Sequence, residues 1–253
     1  MLFTESVYVG IDPTSGRKAF TYAALDNDLN LVTLADGELE DVIAYLAGQK
    51  SATVAINSPS QVNHGLVRKT LEKQSLTPHS LRGVEMRVAE FALREHGIAV
   101  HGTGSRESQC LAWVQIGFAL YRKLSKLGFR GFSEDGGSHQ WMETHPDACF
   151  CVMLDEIPLS KPTLEGRLQR ELILYEKGVR IKDPMFFFEE ITRHKLIKGI
   201  LPMELVYPPE QLDALVASYT AWLASQKPAE VMRIGNRPEG FITLPTRSLR
   251  EKY

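Results

Sequence analysis

Two short apolar runs, each halted by a polar residue just ahead of a proline, constrain this chain more than any other feature. Ser6-Val7-Tyr8-Val9-Gly10-Ile11 stops at Asp12-Pro13, and Ala52-Thr53-Val54-Ala55-Ile56 stops at Asn57-Ser58-Pro59. Runs of five or six residues rich in Val and Ile, bounded by turn formers, read as strands buried on both faces. Between them, residues 19–25 and 29–34 read as two further strands joined through Asp26-Asn27-Asp28, a hairpin turn. Residues 38–46 place Leu39, Val42, Ile43 and Leu46 at helical spacing and end near Gly48. The order through residue 57 is therefore β-β-β-α-β.

A first strand, a meander and a helical crossover to another buried strand is how the ribonuclease H-like fold and its actin-like relatives open. A doubly wound sheet alternates strand and helix from its start. The expected class is α/β and ribonuclease H-like: a mixed central sheet with helices on both faces. Residues 58–84 are polar, turn-rich and basic, and read as an excursion at the C-terminal edge of the second buried strand. Helices are expected at 85–96, 106–127, 164–177, 184–196 and 209–225, and short strands at 98–101, 140–144 and 241–244. No repeat, low-complexity tract or linker divides the chain, so residues 1–253 read as a single domain.

Composition narrows the function classes. The 253 residues carry 29 Lys and Arg against 31 Asp and Glu, a net charge of −2, which excludes an indiscriminate coat for nucleic acid or anionic membrane. The balance is uneven along the chain. Residues 58–132 hold 11 Lys and Arg against 5 Asp and Glu, whereas residues 1–57 hold 3 against 8 and residues 133–226 hold 9 against 15. A basic stretch between two acidic ones suits a phosphodiester substrate, although ordinary solvated surface gives the same counts. Cys110, Cys149 and Cys151 lack disulfide or zinc spacing, and Cys149 and Cys151, flanking Phe150 in the apolar run 148–154, read as buried thiols. The first residues carry no signal-peptide pattern. The longest largely apolar run, 110–121, is too short to span a bilayer. A cytoplasmic protein with no membrane partner is expected.

The chemistry is expected where strands end, because loops there expose groups anchored on a rigid sheet. Asp12 and Asn57 end the two buried strands, and Trp141-Met142-Glu143-Thr144-His145-Pro146 follows the same plan. Each alone fits a turn or a helix cap; three on neighbouring strands suit a divalent-cation site. Asp213 follows Pro208-Pro209 in a helix whose Ala214 and Ala217 permit close packing on a sheet. It is a candidate fourth ligand or a first-turn Asp favoured by the helix dipole. Glu90 lies three residues after Arg87, which fits a salt bridge or an accessory role. His145 is a candidate proton shuttle. Arg167 and Arg170 share a helix face able to grip phosphate or to be neutralised by Glu165 and Glu171. Asp12-Pro13-Thr14-Ser15-Gly16 loosely resembles an actin-like phosphate loop, but the chain is short for the duplicated fold of that superfamily.

The ordered set of these pieces resembles the domain-of-unknown-function family 429, whose members are predicted nucleases of ribonuclease H-like fold. The matching features are Val9-Gly10-Ile11-Asp12, Val54-Ala55-Ile56-Asn57-Ser58-Pro59, Arg87-x-x-Glu90 with Leu93, and Glu143-Thr144-His145-Pro146. Gly166-Arg167-x-x-Arg170 with Leu174, Asp213-Ala214-Leu215-Val216-Ala217-Ser218-Tyr219 and Glu239-Gly240-Phe241-Ile242 complete it. One position departs: the family pattern has Asp where this chain has Asn57, which removes a negative charge from the cluster.

The resemblance implies phosphodiester hydrolysis of a nucleic acid or nucleotide with Mg2+ or Mn2+. Asp12 would bridge two metal ions, Glu143 and Asp213 would complete their ligation, and Asn57 would act as a neutral ligand or position water. Arg87, Arg167 or Arg170 would hold flanking phosphates, with Glu90 and His145 as accessories. The alternative is a degenerate nucleic-acid-binding or scaffolding protein on the same fold, a reading that Asn57 favours.

Overall fold

A computed structural model of the chain describes residues 6–13, 18–74, 85–133 and 136–253. The first five elements follow the expected order: β1 (Val7–Pro13), β2 (Phe20–Leu25), β3 (Leu31–Gly37), α1 (Leu39–Ala47) and β4 (Ala52–Ile56). Strands β1, β2 and β3 form an antiparallel meander, and β4 returns parallel to β1 on its other side. At the β2–β3 turn Asp26 accepts hydrogen bonds from the backbone N–H groups of Asp28 and Asn30, and Leu29 takes up a φ of 61°.

The sheet continues through β6 (His139–Thr144), β8 (Gly240–Leu244) and β7 (Met232–Asn236), in the order β3-β2-β1-β4-β6-β8-β7. The two-residue β5 (Arg130–Gly131) lies beside β6 off this path. Among the described residues the sheet is thus eight-stranded and mixed, with β1, β4, β6 and β8 parallel at its centre.

The pleat sends alternate side chains to two cores. Val7, Val9, Ile11, Val54 and Ile56 pack on one face against α1 and α4 (Ala112–Lys126). Tyr8, Ala55 and Met142 point to the other, toward α9 (Pro209–Gln226). Helix α9 is apolar on nearly every side and almost wholly buried, as a helix must be when it is covered by a sheet on one flank and helices on the other. Its outer flank meets α5 (Pro146–Leu154) and α6 (Leu164–Glu176).

Three expectations are corrected. Residues 98–101 form no strand: Ile98 closes the C-terminus of α3 (Val88–Glu95) through Leu93 O, and the chain runs on without regular structure. The helix expected over 184–196 is two short ones, α7 (Phe186–Glu189) and α8 (Arg193–Ile197), divided where the Thr192 hydroxyl caps the second. The helix over 106–127 breaks into a single turn at Glu107–Gln109 and then α4. Helix α5 and strand β7 were not expected. The Ala148–Leu154 run is apolar without helical period, and Met232–Asn236 is held mainly by its pairing with β8. Part of the 58–84 excursion is helical, α2 (Leu66–Gln74); residues 75–84 and the Thr14–Gly16 loop lie outside the described residues.

Candidate functional site

The C-terminal ends of β4 and β6 open on a cavity of about 230 Å3 whose lining includes Asn57, Arg87, Glu143, His145, Lys161 and Asp213; Asp12, at the end of β1, does not line it. Strand register sorts the acidic residues into two groups. Asp12 and Asn57 lie in the same pleat phase as Gly10 and Ala55 and point toward α9. Glu143 pairs with Ile56 and so shares the opposite face.

On the α9 face Asn57 Nδ2 donates to Asp12 Oδ1 at 2.6 Å. Asp213 enters from the second turn of α9, and its Oδ2 accepts from Lys161 Nζ, a residue of the loop before α6. Asp213 Oδ1 is buried with no hydrogen bond among the described residues. Burial first, and then the charge of Asp213, push the Asp12 carboxyl well above the usual carboxylate range, against the pull of Asn57 and Lys161. Burial also pushes Asp213 up, to about 7, with Lys161 opposing.

On the other face Glu143 is locked. Its Oε1 accepts from Ser60 N at 2.7 Å and from the Ser60 hydroxyl, while its Oε2 lies 2.9 Å from Arg87 Nη1 without hydrogen-bond geometry. Arg87, fully buried, also donates through Nε to Glu90 at 2.7 Å and through Nη1 to the Glu239 carbonyl at 2.6 Å. Glu90 closes the N-terminus of α3 by accepting from Arg87 N, and it also accepts from Thr103 N and the Thr103 hydroxyl. Burial raises the Glu143 pKa, and the Arg87 cation and Ser60 bring it part of the way back. The Glu239 carboxylate accepts from His64 N and Val88 N, tying the excursion to α3. Gly240, at φ 90°, leaves Glu143 the space that a Cβ would fill.

Asp12, Asn57 and Asp213 are therefore brought together, and Glu143, Arg87 and Glu90 form a second group at the same cavity. Arg167 and Arg170 stand apart. Arg167 donates to the carbonyls of Val206 and Tyr207. Arg170 donates to Leu159 O and Gly166 O and lies over the Phe150 ring. Arg170 thereby anchors the loop that carries Lys161. His145 caps α5, its Nδ1 accepting from Ala148 N at 3.2 Å, and burial lowers its pKa so that the imidazole is neutral. With Nδ1 an acceptor, the ring proton sits on Nε2.

Sequence reasoning missed Lys161 and Ser60. Both lie in irregular loops where no periodicity marks a residue as inward-facing; the one available signal was the adjacency of Ser60 to the Asn57-Ser58-Pro59 strand end.

No three His, Cys, Asp or Glu side chains among the described residues converge to enclose a metal ion. The donors on the α9 face are two carboxylates and an amide, with one buried carboxylate oxygen unpartnered. That set fits a single hard cation completed by water, and it does not amount to a preformed seat for a metal pair. Among the described residues no helix is long and apolar enough to cross a membrane.

A family model described as "Protein of unknown function (DUF429)" matches residues 10–238, a span that holds Asp12, Asn57, Glu143, Lys161 and Asp213. No curated protein and no solved structure matches the chain.

Proposed function

The chain belongs to the DUF429 family, and from that starting point we propose that it hydrolyses phosphodiester bonds of a nucleic acid or nucleotide on a ribonuclease H-like scaffold, using Mg2+ or Mn2+. The order β3-β2-β1-β4-β6, with β2 antiparallel among parallel neighbours, supports the scaffold. The observation that carries the reaction is the burial of Asp12 against Asp213, with Asp213 Oδ1 unpartnered. A buried carboxylate raised further by the charge of a second one is destabilising unless a cation joins them.

Asp12 and Asp213, with the Asn57 amide, would hold the cation. When bound it would supply Lewis-acid stabilisation of charge on a phosphoryl oxygen. Asn57 orients the Asp12 carboxylate through its amide N–H. Neutral His145 presents Nε2–H as a donor at the cavity wall. Arg87 favours the charged form of Glu143 and fixes it in place rather than meeting a phosphate, because its guanidinium is enclosed.

The test is cleavage of a panel of single- and double-stranded RNA and DNA and of dinucleotides with Mg2+ or Mn2+. Asp12→Asn and Asp213→Asn should each lower the rate by about 100-fold or more. Full metal-dependent cleavage by both variants would remove the proposal.

A second reading, a binding protein without turnover, is favoured by one observation: Asp213 and Glu143 already carry the internal counter-charges Lys161 and Arg87. It expects salt-dependent binding of nucleic acid and no heat of Mn2+ binding by titration calorimetry.

A further inference from the structure

The two internal cations of the cavity differ in how firmly they are held. Arg87 is 1% exposed and spreads its guanidinium over Glu90, Glu143 and the Glu239 carbonyl. Its removal would strand two buried carboxylates, so it is a permanent part of the fold. Lys161 is different. Its side chain is 29% exposed, it lines the cavity, and it reaches Asp213 from a loop rather than from a helix or strand.

The base of that loop is rigid. Leu159 O accepts from Arg170 Nη1 at 2.8 Å, Leu159 N donates to Gln169 Oε1 at 2.7 Å, and Ser160 O accepts from Thr163 N at 3.1 Å. Gly166 lets the first turn of α6 pass so close to Ser160 O that no Cβ would fit. The backbone of the loop is therefore fixed while the four-carbon stem of Lys161 is free to swing, since an ammonium is a flexible point charge and not a fork. It ends on Asp213, whose other oxygen, Oδ1, is buried without a hydrogen-bond partner among the described residues.

We infer that Lys161 is a resident counter-cation of Asp213, displaced when a divalent cation binds the Asp12–Asp213 pair. The inference rests on the cation-dependent reading above and adds to it a regulation of the same site. With the site empty, the ammonium neutralises Asp213 and keeps the buried pair tolerable. As the divalent ion arrives, the ammonium gives up its place and turns to the solvent side of the cavity. Metal affinity is thereby set below what two carboxylates would give alone, because binding must expel an internal competitor.

The experiment is calorimetric titration of Mn2+ into the whole chain and into Lys161→Met and Lys161→Arg, with thermal unfolding of each in EDTA and in Mn2+. Lys161→Met should bind Mn2+ about tenfold more tightly than the wild type, because one more ligand charge is left uncompensated. Lys161→Arg, which keeps the cation, should stay near the wild-type affinity. In EDTA, Lys161→Met should unfold at a lower temperature than the wild type, and Mn2+ should raise its Tm by more than it raises that of the wild type. Equal Mn2+ affinity in all three proteins overturns the counter-cation role and leaves the cation-dependent reading standing. Absence of Mn2+ binding in all three overturns both.

Discussion

Asp213 makes the site visible to pH. Its carboxyl is pushed from an ordinary 3.8 to about 7 by burial, so the folded chain holds that proton more tightly than the unfolded chain does. Stability from this group is therefore present below about pH 4, declines as pH rises through the interval to about 7, and is flat above it. Asp213→Asn removes the titration. Urea midpoints measured from pH 4 to pH 8 without metal should show the variant gaining on the wild type as pH rises to about 7; a constant difference across the range would mean that Asp213 is ionised throughout. Asp213 was legible from its place in the helix after Pro208-Pro209, and the strand-end rule made Asp12, Asn57 and Glu143 legible, because an apolar run stopped by a polar residue fixes both position and exposure to the sheet edge. It could not say which way each points. That depends on strand register, and register places Glu143 across the sheet from Asp12 and Asn57. The arginines were less legible still: Arg87 and Arg170 have the composition of phosphate grips and the surroundings of core residues, and only tertiary packing distinguishes the two.

The elements that build the site meet through small residues. Gly10 of β1 faces the backbone of α9 so closely that a Cβ would fall against Ala214 O, Ser218 N and the Ala217 methyl. This contact brings Asp213 down to the strand that carries Asp12. Gly10→Ala must lift α9 off the sheet, and should lower stability by about 3 kcal/mol. It should also reduce Mn2+ affinity in calorimetry, because the two carboxylates separate; a loss under about 1 kcal/mol in urea denaturation would show that the contact yields more easily than its geometry suggests. That Ala214 and Ala217 permit close packing on a sheet was readable in the sequence; Gly10 as the facing residue was not. Helices α1, α6 and α9 were readable too, to within a few residues. Helix α5 was not, since Pro146–Leu154 is apolar all round and its start is fixed by a His145 side chain acting as a cap, an unusual residue for that position. The short α7 and α8 also escaped, because two helices of four and five residues leave too little sequence to show where one stops.

Across the whole molecule the alternation of charge is folded back on itself. The basic stretch 58–132 meets both acidic stretches in space: Lys123 lies 3.9 Å from Glu40 of the first, and Arg87 lies 2.9 Å from Glu143 of the second. Within the stretch Arg122 pairs with Glu107 at 2.6 Å and Arg68 with Glu85. An excess that looked available for phosphate in the sequence is thus partly spent inside the molecule or on neighbouring carboxylates. The consequence for any nucleic-acid partner is quantitative. Each phosphate neutralised by a free cation contributes about −0.9 to the slope of log K against log salt for duplex DNA and about −0.7 for single strands. With Arg68, Arg87, Arg122 and Lys123 paired in this way, seven of the eleven Lys and Arg of the stretch remain, so a single strand should give a slope no steeper than about −5. Fluorescence anisotropy with a labelled single-stranded oligonucleotide, titrated at several salt concentrations, measures this directly. A slope steeper than about −5 would require an extended basic track, and the surface pairs would then have to open on binding. A shallow slope would leave recognition to the cavity and its cation, which suits a small substrate or a strand end better than a long duplex.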